Sequence, residues 1–324
     1  MKKKLISLAM VMVMSASLLA GCGQGGNSAG SGSVKLFVSY SQDTFRNAFA
    51  SAAVEEAKAQ GVDVATGPDD STVEKQVESI KKAVSEGCTA ILCIPVNSAT
   101  AQQLEVAAGG VPIIFCNSMP DESYMKANKY IYVGSSEEEA GRFQAEKLLS
   151  MYPDKKEFNI VMLKGEKDHS GTVGRQAGFV NHMKDSGIKV NYVFNDYGNW
   201  QGEIAVSKFE QFLKTGQAYD AVVCHNDTMA VAVADYMISK GINTSEKPVL
   251  GIDATAEGLA SLENGGISFT VYQSAKGQGI AAVNAGILLS KGSSVETIEG
   301  VDKENLHVYV PFEAVSKENA AQYK

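Results

Sequence analysis

The sequence predicts an α/β protein of two similar lobes, each a parallel sheet flanked by helices. Three observations carry that expectation. From residue 34 onward, short apolar runs alternate with segments of helical period along almost the whole chain. Repeated strand–helix alternation means parallel sheets covered on both faces. There are more such runs than one sheet holds comfortably, and the rhythm restarts near Gly134. Finally, one apolar run after another stops on Asp, Asn, Gln or His, which is the pattern of a ligand site at the carboxyl ends of parallel strands.

In chain order, strands are expected at 34–40, 62–66, 90–94 and 112–116, with a further apolar run at 130–133. The helices between them are expected at 47–60, closed by Gly61, at 71–85 and at 98–108. Ser71-Thr72-Val73-Glu74 has the form of a capping box at the start of the second helix, and Gly87 follows its end. Past Gly134 come a helix at 137–151, a strand at 159–163, a helix at 175–185, a strand at 190–194 and a helix at 204–214. A strand at 221–224, a further helix, a strand at 249–252, a helix at 256–263 and a strand at 269–272 complete the alternation. Gly277-Gln278-Gly279-Ile280-Ala281-Ala282 loosely matches a dinucleotide fingerprint but lacks the rest of that unit, so it reads as close helix packing.

The 324 residues carry a net charge of -8, which argues against a nucleic-acid partner. Met1-Lys2-Lys3-Lys4, an apolar stretch at 5–19 and Leu19-Ala20-Gly21-Cys22 resemble a bacterial lipoprotein signal, in which Cys22 becomes the lipid-bearing N-terminus. The polar, glycine-rich segment 23–33 then reads as a flexible tether. The protein is therefore expected outside the cytoplasm, anchored to the outer face of the cytoplasmic membrane. Cys88, Cys93, Cys116 and Cys224 sit in apolar, strand-like surroundings and read as buried free thiols, although disulfides are possible in an exported chain.

Asp43, Asn117, His169, Asn226, Asp253 and Gln273 follow apolar runs in both halves, and Lys and Arg are scarce among them. Such a cleft suits an uncharged, polyhydroxylated ligand, because each hydroxyl both donates and accepts. Its apolar face wants an aromatic ring, which Phe45 and the single Trp, Trp200, would supply. Asp227 reads as the cap of the helix after 221–224. Arg175 opens a helix, where a cation is unfavourable, and this points to a specific role. Glu137-Glu138-Glu139 reads as a solvated first helical turn. No nucleophile elbow, Walker loop or metal-ligand spacing is present, so an enzyme is not expected, and neither cofactor nor metal.

These residues resemble the periplasmic sugar-binding proteins of ABC importers, specifically the galactose/glucose-binding branch. The resemblance rests on Ser39-Tyr40-Ser41-Gln42-Asp43-Thr44-Phe45, Val111-Pro112-Ile113-Ile114-Phe115-Cys116-Asn117 and Tyr132-Val133-Gly134. It extends through Leu163-Lys164-Gly165-Glu166 with His169 and Arg175, Trp200, His225-Asn226-Asp227-Thr228-Met229-Ala230 and Gly251-Ile252-Asp253-Ala254. It implies a type I periplasmic binding protein whose lobes, 34–133 plus 275–308 and 134–274 plus 309–324, are joined by three crossovers near 133–136, 272–275 and 308–312. It also implies a monomer that binds an aldohexose such as galactose or glucose through Asp43, Phe45, Asn117, His169, Arg175, Trp200, Asn226, Asp253 and Gln273. The partner would be an importer's permease. The alternatives are a receptor for inositol, a pentose or another polyol, and a sugar-sensing partner of a chemoreceptor or sensor kinase.

Two departures matter. Segment 153–158 is too short and too basic to be the branch's calcium loop. Gly171 stands where the branch has a ligand carboxylate, which would leave Arg175 unpaired and a gap for Ser170 or a water to fill. The lipoprotein reading has a direct test: Cys22→Ser should move the protein from the membrane to the soluble fraction, and retention in the membrane would refute it.

Overall fold

A computed structural model of the protein describes residues 33–67 and 70–324. The expectations for the signal, Cys22 and most of the tether fall outside these residues. The first part of the chain runs β1 (Lys35–Ser39), α1 (Thr44–Ala59), β2 (Asp63–Thr66), α2 (Val73–Ser85), β3 (Ala90–Cys93), α3 (Ala101–Ala108), β4 (Ile113–Cys116) and β5 (Tyr130–Gly134). It continues through α4 (Glu137–Met151), β6 (Glu157–Lys164), α5 (Ser170–Asp185), β7 (Lys189–Tyr197), α6 (Gly202–Leu213), β8 (Ala221–Cys224) and α7 (Asp227–Ser239). The last elements are β9 (Val249–Leu250), α8 (Ala256–Asn264), β10 (Thr270–Tyr272), α9 (Ala275–Ser290), β11 (Val308–Tyr309) and β12 (Glu313–Val315).

The strands form two sheets. One is six-stranded and parallel in the order β11-β5-β4-β3-β1-β2, and the other is four-stranded and parallel in the order β7-β6-β8-β9. β10 and β12 pair antiparallel beside the second sheet, to which the bridges Leu250–Phe269 and Asp253–Tyr272 join them. The chain passes between the sheets three times: after β5, after β10 and after β11.

Central strands such as β3, β4 and β8 are buried at every position, as two covered faces require. Alternate residues feed separate cores. Leu36 and Val38 pack with Phe49 of α1 and Val283 of α9, whereas Phe37 packs with Ile80 of α2 and Leu104 of α3. In the second sheet Val161 and Leu163 face Phe209 and Val233, and Ile160 and Met162 face Leu148 and Phe179. The 277–282 segment lies in α9, where a Cβ on Gly279 would come within 3.0 Å of the α1 backbone at Ala53.

Several boundaries depart from the sequence expectation. α1 begins at Thr44, because Asp43 caps it by accepting from the Arg46 N–H at 2.7 Å. α2 is capped by Thr72 rather than Ser71. α5 begins at Ser170, so Arg175 stands in its second turn and not at its start. Gly171, Gly174 and Gly178 mask that start, since each lowers helix propensity. Tertiary packing explains two glycines at the contact: a Cβ on Gly178 would strike the Glu138 carbonyl, and one on Gly141 of α4 the Arg175 carbonyl. The cap of α7 is Asn226, which accepts from the Met229 N–H at 3.1 Å. Asp227 is instead fully buried and accepts from the Thr270 hydroxyl at 2.7 Å and the Thr255 N–H at 2.9 Å.

The α4–α5 contact generates a test. Gly178→Val should lower the thermal unfolding midpoint by an amount equivalent to about 1–3 kcal/mol of overpacking strain, read by circular dichroism. An unchanged midpoint would show that the two helices have room to separate.

Candidate binding cleft

The strand ends of both sheets converge on one cavity of about 260 Å³. This is slightly below the ~300–1,000 Å³ of pockets for drug-sized ligands. The first sheet contributes Asp43, Phe45 and Arg46 from the β1–α1 junction and Asn117 after β4. The second contributes His169 at the N-cap of α5 and Arg175 within it, Trp200 after β7, Asn226 after β8, Asp253 after β9 and Gln273 after β10. Asp43, Phe45, Asn117, His169, Arg175, Trp200, Asn226, Asp253 and Gln273, the nine candidates from the sequence, all line it. In the first turn of α5 the Ser170 hydroxyl accepts from the Met119 N–H at 3.0 Å, so that hydroxyl already has a protein partner.

Arg175 organises the second side. Its side chain is only 5% exposed, and its Nε donates to Glu137 Oε2 at 2.7 Å. Nη1 donates to the His225 carbonyl and lies 3.7 Å from Asp253 Oδ1, while Nη2 donates to Gln273 Oε1 at 3.3 Å. Burial alone would pull this guanidinium down, but Glu137 and Asp253 outweigh it and hold its pKa above the usual value. The expectation of an unpaired Arg175 is therefore wrong: a carboxylate does pair with it, and it comes from α4. Likewise, Glu137-Glu138-Glu139 is not uniformly solvated. Glu138 is exposed, whereas the Glu137 side chain is 9% exposed and lines the cavity.

Arg46, also unforeseen, donates to the Ser41 hydroxyl and pairs with Asp43 at 3.3 Å. Two guanidinium groups thus face the cavity, contrary to the expected scarcity of cations. The sequence signal for Arg46 was available: it follows Asp43 by three residues, within the first turn of α1. Of His225-Asn226-Asp227, only Asn226 reaches the cavity. The His225 ring is fully buried, with neither nitrogen hydrogen-bonded among the described residues.

Two groups have their protonation set by the site. Burial, assisted by Arg46 and Arg175, pulls His169 down to about 3. Its Nδ1 accepts from the Gly171 N–H at 3.0 Å, so the neutral ring carries its proton on Nε2 and offers it as a donor. Burial pushes Asp253 well above the usual carboxylate range. Arg175 opposes that rise, and Asp227, Glu137 and Asp43 add to it. The amide of Gln273 is buried, and its Nε2 has no hydrogen-bond partner among the described residues. An orphan buried donor at a cavity wall is a place for a ligand oxygen. Trp200 adopts a left-handed φ of 63° and turns its ring edge-on to His169 at 5.2 Å, with the Arg175 guanidinium 5.5 Å from the ring. Such a φ is rare for a bulky residue and is held only by its surroundings.

A family model described as "Periplasmic binding protein domain" matches residues 34–294. The chain belongs to this family. Its fold, two helix-flanked parallel sheets, is that of the type I periplasmic binding proteins, and the family places it outside the cytoplasm. It is 28% identical, over 82% of its length and 83% of the other's, to a Rhizobium meliloti protein described as "Putative rhizopine-binding protein". It is 25% identical to a D-galactose/methyl-galactoside binding periplasmic protein of Haemophilus influenzae, over 76% of this chain and 78% of that one. A solved structure of an ABC transporter solute binding protein from Bacillus halodurans with bound myo-inositol is 27% identical. It superposes with a TM-score of 0.78 over 91% of this chain and 99% of that one. These relatives are solute receptors, not enzymes.

As the sole tryptophan of the chain, Trp200 should report ligand directly. Saturating ligand is expected to shift its emission, and Trp200→Ala to weaken binding by about 1–3 kcal/mol. An unchanged spectrum, with binding confirmed by calorimetry, would place the ligand elsewhere.

Proposed function

We propose that the protein is the receptor of an ABC importer for a neutral, polyhydroxylated six-membered ring, with a cyclic polyol of the inositol kind preferred to galactose or glucose. The observation that carries this reading is the placing of carboxyl groups on both sides of one small cavity: Asp43 on the first, Glu137 and Asp253 on the second. Asp43 and Glu137 want a hydroxyl donor, and the Asp253 carboxyl, whose pKa burial raises, pairs with a hydroxyl in either direction. A cyclic polyol carries a hydroxyl on every ring carbon, whereas the ring oxygen of a pyranose only accepts. Asn117, Asn226, Gln273 and neutral His169 supply the complementary donors, and Phe45 and Trp200 the apolar faces. The Bacillus halodurans receptor with bound myo-inositol supports the same choice.

In this reading segments 34–133 plus 275–308 and 134–274 plus 309–324 act as lobes that close on the ligand by a hinge at the three connections. The permease recognises the closed form, and the lipid on Cys22 keeps the receptor beside it. The nine cavity residues hold the ligand, and no metal or cofactor takes part.

A thermal-shift screen with myo-inositol, galactose, glucose and ribose tests the proposal. A ligand at one hundred times its Kd stabilises by about 2.7 kcal/mol. The largest rise is expected with myo-inositol. A larger rise with galactose or glucose would overturn the cyclic-polyol preference, and no rise with any ring would overturn the sugar-receptor reading.

A further inference from the structure

We infer that Glu137 is a ligand-contacting carboxylate, which takes from the head of α4 the place that a side chain at position 171 would otherwise occupy. It thereby selects the ring hydroxyl required at the Arg175 end of the cavity. The inference deepens the receptor reading above and rests on it.

Position 171 lies in the first turn of α5 and has no side chain of its own. A Cβ placed there would lie 3.2 Å from His169 Nδ1 and 3.6 Å from Glu137 Cδ. A side chain at 171 would therefore start in van der Waals contact with the Glu137 carboxyl group, which stands in the same part of the site. Glu137 is positioned for this by its backbone: Gly141 and Gly178 let α4 lie against α5 one turn further along. The amino-terminal end of α4 also favours a negative charge at that position.

The carboxylate divides its two oxygens. Oε2 accepts from Arg175 Nε at 2.7 Å, and no hydrogen bond from a described residue reaches Oε1. A buried carboxylate with one oxygen committed to a guanidinium and the other facing a cavity is a strong acceptor for a ligand hydroxyl. Arg175 beside it offers donors to the same ligand atom. Together they read one hydroxyl from both sides.

The competing role is purely supporting, with Glu137 serving only to hold Arg175. The two roles separate on deoxy analogues, because a support serves every ligand equally and a contact serves one hydroxyl. The test measures, by calorimetry, the binding of myo-inositol, its monodeoxy analogues, glucose and 1-deoxyglucose to wild type, Glu137→Gln, Gly171→Asp and Glu137→Ser/Gly171→Asp. Glu137→Gln should weaken the parent ring at least 10-fold, a change of about 1.4 kcal/mol. It should leave unaffected the one analogue that lacks the hydroxyl read by Glu137. Gly171→Asp alone should weaken binding by crowding two carboxylates, and Glu137→Ser should restore at least part of that loss in the double variant. Equal loss for parent and all analogues, or a Glu137→Gln affinity within 2-fold of wild type, would overturn the inference while leaving the receptor reading intact. If wild type binds none of these rings, the receptor reading falls and takes the inference with it.

Discussion

A buried guanidinium sets the terms for this molecule. Taking a charge out of water is costly unless partners surround it. Arg175 meets that demand with Glu137, Asp253, Gln273 and the His225 carbonyl, and lies within 6 Å of the rings of both Trp200 and Phe312. Its partners are distributed in a telling way. Glu137 lies just after the first passage of the chain between sheets, Gln273 just after β10 at the second, and Phe312 in the third. One side chain is thus in touch with all three connections and with the cavity. The three segments by which the chain passes between the sheets therefore share one charged contact.

The fold was readable in the sequence because buried parallel strands are unbroken apolar runs, and the cavity was readable because those runs stop on hydrogen-bonding side chains. Asn117, Asn226, Asp253 and Gln273 were found in that way. Two of the local readings that failed did so where neighbouring residues were equally suited to one task. Asn226 and Asp227 can each cap a helix, and only burial against Thr255 and Thr270 assigns Asp227 elsewhere. Glu137, Glu138 and Glu139 are indistinguishable in the sequence. What separates them is the close approach of α5, and two of the glycines that permit it, Gly174 and Gly178, also hid the start of that helix.

Backbone strain gathers at the same place. Among the described residues other than glycine, Asn117, Asp168, Asn199, Trp200, Asp253 and Ala254 all have positive φ and lie at or beside the strand ends. Asp253, at 116°, is outside the region an ordinary side chain adopts. Conformations of this kind persist only where the surrounding structure dictates them. They indicate a cavity whose wall is shaped before any ligand arrives, so that ordering of these loops adds little to the entropy lost on binding.

The four thiols of the described region take on meaning from the location of the family outside the cytoplasm. Cys88, Cys93, Cys116 and Cys224 are all free and buried, and burial raises each of them, Cys88 to about 11. Because the thiolate is the reactive form, oxidants of the extracytoplasmic space find little to attack while the strands stay in place. The protection belongs to the fold and not to the chemistry of any one cysteine. With Cys93 and Cys116 in one sheet and Cys224 in the other, an alkylating reagent would act as a clock for each sheet, recording how often each one opens.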